Sequence, residues 1–278
     1  MKPITKNSII AVSVISVVYI FNLIRPDQII YAIAAAVVMV VICAKYLFDT
    51  SISRSSIVAD AKFLLMPLLF NISALSYISY IYVGLGRFLL TFLAIVSNFY
   101  LFTSLRKLRN LGEKAAIFYR NILVVISFFT VFMASSMTFR LFMTVTDKNL
   151  LDVYRAIVVV AIFALIYFVT YFLTWEKGAL ETKDRAYGLI SAFLCAEVVW
   201  ITSIWLINYP VIGITEKAAL GGTPIAAIVV TITYYFLWGM ISHKLDNNLT
   251  RKVLTEYLTF TILFLLVLFV TAKWLPTG

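Results

Sequence analysis

Glu197 sits ten residues from each end of the apolar run Tyr187 to Ile207, and it is the strongest chemical feature of this chain. If the run is helical, at ~1.5 Å per residue the carboxyl lies ~15 Å from either end, beyond the reach of a glutamate side chain. A charged carboxylate in hydrocarbon costs a few kcal/mol or more, so the group is expected to be neutral, paired or in contact with water, as in a proton, cation or substrate site. Phe193, Leu194, Trp200 and Ile201, its neighbours at helical spacing, are apolar, so a partner has to come from another segment. Asn71 and Asn98 lie at comparable depth in two other apolar runs. Glu197, Asn71 and Asn98 therefore form the candidate substrate- or ion-binding set. The competing expectation is structural, a buried polar side chain acting as a tie between helices.

Asn71 belongs to the most polar of the apolar runs. Pro67 removes the donor for the Phe63 carbonyl, and Ser73, Ser76, Tyr77 and Tyr80 recur at three-to-four spacing. Such a face suits a passage or a packing surface. Ser127, Thr130, Ala134 and Thr138 form a stripe of small residues expected at a close helix contact.

Enzyme chemistry has fewer footholds. His243 is the single histidine, so HExxH zinc chemistry and bis-histidine haem ligation lack a second imidazole. Cys43 and Cys195 fall inside apolar runs, where they are expected to pack as small hydrophobes. There is no GxxxxGK[ST] loop and no paired-aspartate cluster for Mg²⁺, so no metal site and no cofactor are expected. Asp27, Asp147, Asp152 and Glu216 are the acids from which a lipid-linked transfer reaction would have to be built. Asp27 lies in the short Arg25-Pro26-Asp27 turn, a small platform for such an enzyme. An enzyme is thus the less favoured reading.

Whatever these residues do, membrane helices must position them. Hydrophobic residues make up 63% of the 278 positions and charged residues 13%, which excludes an ordinary soluble fold. Nine apolar runs, at about 8–24, 28–48, 63–82, 87–105, 117–143, 154–174, 187–207, 224–241 and 253–272, each approach the length needed to cross a ~30 Å hydrocarbon core as a helix. They lack the alternation of a barrel strand. The expected fold is all-α, a single polytopic bundle over 1–278. Lys2 and Lys6 before the first run resemble the start of a signal peptide, but no small-x-small site follows, so an uncleaved hairpin is expected. Gly221-Gly222-Thr223-Pro224 reads as a loop closed by a threonine N-cap, with proline opening the eighth helix.

If each run crosses once, sixteen of the 23 Lys and Arg fall on one side and seven on the other. Positive loops stay cytoplasmic, which predicts the N-terminus inside and the C-terminus outside. The same rule accounts for the net charge of +10 without nucleic acid. Arg120 and Arg140, ~30 Å apart on one helix, are expected to reach opposite interfaces, and the same reading covers Arg87. The expected setting is a multi-pass protein of a prokaryotic inner or plasma membrane. Its expected partners are membrane lipids and a helix-packing protein or a second copy. A transporter or permease for a small solute or lipid ranks first, a membrane enzyme on a lipid-linked substrate second, and a non-catalytic scaffold or assembly subunit third.

Overall fold

Backbone groups in hydrocarbon must find their partners within the segment, and these apolar runs do so as helices. The computed structural model describes residues 3–48, 54–81, 84–110, 113–143, 148–176, 182–205 and 224–271. Among them are nine α-helices: α1 Pro3–Ile24, α2 Ile29–Phe48, α3 Arg54–Tyr80, α4 Leu85–Asn110, α5 Glu113–Met143, α6 Lys148–Glu176, α7 Thr182–Trp205, α8 Ile225–Leu245 and α9 Arg251–Thr271. Eight contain a stretch long and apolar enough to cross a membrane. In α3 the apolar stretch among the described side chains is Leu64–Tyr80.

Every apolar run is matched by a helix, and several helices continue past the apolar residues. The α3 helix starts at Arg54, nine residues before the run at 63, and α5 starts at Glu113, four before the run at 117. Charged and polar residues are good helix formers once a turn has been nucleated, so hydropathy marks the part of a helix within lipid rather than its full length. Between α1 and α2 the chain reverses through a 3-10 turn, Pro26–Gln28. Pro26 forces Arg25 out of the helical region (φ −125°, ψ 71°), which ends α1. At the start of α8 the structure corrects the expected cap: Pro224 is itself the N-cap (ψ 130°), and the helix begins at Ile225. Gly221, Gly222 and Thr223 lie outside the described residues.

The contacts fall into two compact units, Met1–Thr130 and Val131–Gly278, with the boundary inside α5. In the first, α1 packs against α2 and α4, and α2 and α4 pack against α3. Ala11, Ala32, Ala36 and Ala74 are buried at these contacts and allow close approach, while Tyr19, Met66, Phe70 and Phe102 fill the interior. In the second unit α6 packs extensively on α7, α7 on α8, and α8 on α9. Ala192, Cys195 and Ala196 supply the small surface on α7, and Tyr234 and Trp238 fill the space beside it. Trp238 is therefore a core residue of this unit.

Helix ends meet as single crossings require. The ends of α1 and α3 join the start of α4 through Asn22, Ser79 and Arg87. In the other unit, Arg155 near the start of α6 lies over Trp200 near the end of α7, and His243 near the end of α8 meets Tyr257 near the start of α9 edge to face.

Candidate functional site

Two of the three candidate residues come together. Asn71 on α3 and Asn98 on α4 form a reciprocal amide pair: Asn71 Nδ2 donates to Asn98 Oδ1 at 2.9 Å, and Asn98 Nδ2 donates back to Asn71 Oδ1 at 3.0 Å. The second amide protons go to backbone carbonyls, Pro67 O at 2.8 Å and Ala94 O at 2.9 Å. Tyr19 on α1 donates its hydroxyl to Asn71 Oδ1 at 2.9 Å. All three side chains are buried. Asn71 thus uses both donors and both acceptor positions, and the network ties α1, α3 and α4 at one depth. Tyr19 was missed in the sequence because an aromatic in an apolar run reads as lipid-facing. The signal was present: Ser8, Ala11, Ile15, Tyr19 and Asn22 recur at three-to-four spacing, and all five are buried.

A second polar cluster lies at the far end of α1. Asn22 Nδ2 donates to Leu75 O at 3.4 Å, and Ser79 Oγ donates to Asn22 Oδ1 at 2.9 Å. Arg87 Nη2 donates to Asn22 O at 2.6 Å, and the residue is only 2% exposed. Asn22 lies in the last turn of α1, whose carbonyls lack intrahelical donors and carry the negative end of the helix dipole. Arg87 therefore caps a neighbouring helix. Arg140 is likewise buried, at 6% exposed.

Glu197 takes a different position. It is exposed on α7, among the exposed Phe193, Leu194, Trp200 and Ile201, and makes no hydrogen bond or ion pair among the described residues. Among the described side chains the apolar stretch of α7 is Ala186–Ser203, which includes Glu197; Ile207 lies outside the described residues. Asn71 and Asn98 serve each other and Tyr19, so the structure gives Glu197 no partner from them.

Among the described residues, the acids considered for a transfer reaction are not brought together. Asp27 is exposed in its turn, Asp152 pairs with Arg155 at 2.7 Å one turn along α6, and Asp147 and Glu216 lie outside the described residues. Cys43 and Cys195 are both buried free thiols. Among the described residues no group of three or more His, Cys, Asp or Glu is placed to share a metal ion.

The sequence did not disclose a groove in the first unit. A groove of about 430 Å³ opens on the surface of the first unit, with Ser97 and Tyr100 of α4 on one wall and Asn121, Val125 and Phe129 of α5 on the other. Tyr100, Val125 and Phe129 are each about half exposed, so the groove is open along its side. Its polar groups are few, Ser97, the Tyr100 hydroxyl and Asn121. Arg120 adjoins Asn121 and is partly exposed; its Nε is buried without a hydrogen-bond partner. Farther along toward the same end, α4 carries Arg106, which is buried, and Lys107; none of these basic residues is among those lining the groove. No protein-family model, curated protein or solved structure matches this chain.

Proposed function

We propose that this polytopic membrane protein is a permease-like protein for an amphiphile, an anionic lipid or a lipid-like acid whose apolar chain lies in the α4–α5 groove. The single observation that carries the proposal is the groove itself, with apolar walls and a lateral opening; Arg120 adjoins its lining residue Asn121 in sequence. A chain moving from bilayer to groove exchanges one apolar surrounding for another, so burial of the chain contributes little selectivity. Discrimination falls to the headgroup. Basic residues near a membrane surface attract anionic lipid at about 1 kcal/mol each, and Arg120, with no ion pair among the described residues, is the first candidate to supply it.

The test is exchange of a fluorescent acidic phospholipid between leaflets of vesicles containing the full chain, compared with a zwitterionic analogue. Val125→Trp is expected to fill the groove and bring exchange of both lipids to the protein-free rate. Arg120→Gln is expected to slow the acidic lipid alone by about fivefold, the equivalent of ~1 kcal/mol. Exchange unaffected by Val125→Trp rules the groove out as the route.

Glu197 favours a second reading, a permease coupled to a proton or cation. Its carboxyl stands on an apolar helix face with no partner among the described residues, and an ionisable residue within an apolar span is by default a functional candidate.

A further inference from the structure

We infer that α9 is a self-association helix, and that two copies of this chain meet through the face bearing Lys252, Thr255, Glu256 and Thr259. Only 6% of the α9 span is buried, against 22–50% for the other seven spanning stretches. Its packed face is Val253, Tyr257, Thr261, Leu265 and Leu268, which recur at three-to-four spacing; Tyr257 sits over Gly239 of α8, and Leu268 beside Ile225. At ~100° per residue, Lys252, Thr255, Glu256, Thr259 and Leu263 fall on the opposite side. A shallow groove of about 570 Å³ runs along that side.

Charge complementarity selects the occupant. Lys252 and Glu256 are exposed, and neither forms an ion pair among the described residues. Within one helix their order, lysine four residues before glutamate, is the weaker arrangement. Copies inserted in one direction relate by a two-fold axis along the membrane normal, which lays their α9 helices side by side and parallel. Lys252 of one copy then lies ~6 Å along the axis from Glu256 of the other, a separation a four-carbon lysine stem spans, and the symmetry repeats the pair. Thr255 and Thr259, four residues apart, are small enough to let the helices approach. The Thr255 hydroxyl already donates to Arg251 O at 2.9 Å, so it enters the contact with no unsatisfied proton.

The experiment measures monomer and dimer fractions of the full chain in vesicles by single-molecule photobleaching across protein-to-lipid ratios. The wild type is expected to dimerise. Lys252→Glu and Glu256→Lys are each expected to weaken dimerisation at least about tenfold, since each turns two attractive pairs into two repulsive ones. The double swap, Lys252→Glu with Glu256→Lys, is expected to restore the wild-type equilibrium to within about threefold. In addition, Thr259→Cys is expected to cross-link between copies, whereas Leu254→Cys, on the flank nearer α8, is not. A monomeric wild type, single reversals without effect, a double swap that fails to restore, or cross-linking at Leu254→Cys in place of Thr259→Cys would each overturn the inference.

Discussion

Replacing Asn71 and Asn98 separately with leucine should not cost the same, even though the two residues form a reciprocal pair. Asn98→Leu removes two interhelical hydrogen bonds and leaves Asn71 bonded to Pro67 O and to the Tyr19 hydroxyl. Asn71→Leu removes three interhelical bonds and also strands the Tyr19 hydroxyl, which is 0% exposed. Interhelical hydrogen bonds within membranes average about 0.6 kcal/mol, which makes the bond losses ~1 and ~2 kcal/mol. A stranded buried hydroxyl adds ~1–3 kcal/mol to the Asn71 change alone. Asn71→Leu is therefore expected to destabilise the protein by about 2–4 kcal/mol more than Asn98→Leu. Adding Tyr19→Phe to Asn71→Leu should recover ~1 kcal/mol or more, because the stranded donor is gone. Reversible unfolding in bicelles, by detergent titration or steric trapping, measures all three variants against the wild type. The reasoning is refuted if Asn98→Leu costs as much as Asn71→Leu, or if Tyr19→Phe brings no recovery.

Two further outcomes test other parts of the structure. A methyl group at Gly239 would overlap the Tyr257 ring, so Gly239→Ala is expected to push the ring from its place beside His243 and Tyr235 and lower stability by ~1–3 kcal/mol. In a Tyr257→Ala background the same change should cost less than ~0.5 kcal/mol; an undiminished cost there would mean that the clash is not the cause. Glu197→Gln tests the second functional reading: proton- or cation-coupled exchange should be lost while thermal stability and expression stay at wild-type values. Unchanged coupling in that variant removes Glu197 from the mechanism.

The fold was legible in this sequence because hydrophobic length is a one-dimensional property. Each apolar run became a helix, and Arg25-Pro26-Asp27 made its reversal because proline cannot continue α1. Helix ends were less legible: polar turns such as the start of α3 at Arg54 extend the helix without adding hydropathy. The Asn71–Asn98 pair was half visible, since two amides at comparable depth imply a meeting. Its third member was concealed, because Tyr19 reveals itself only through the spacing of Ser8, Ala11 and Ile15. Helix rotation is what a single apolar run leaves open. It decides that Glu197 is exposed and that Arg87 caps α1, and it determines which walls of α4 and α5 leave a groove between them.

Occupancy of that groove is the central claim, and photolabelling reads it directly. The full chain is placed in vesicles containing an acidic phospholipid with a photoactivatable group on its acyl chain, and the adducts are mapped by mass spectrometry. Adducts concentrated on Tyr100, Val125 and Phe129, stronger than with the zwitterionic analogue and lost in Val125→Trp, are the predicted result. Labelling spread evenly over exposed apolar residues elsewhere, such as Val160, Phe193 and Phe264, would contradict it.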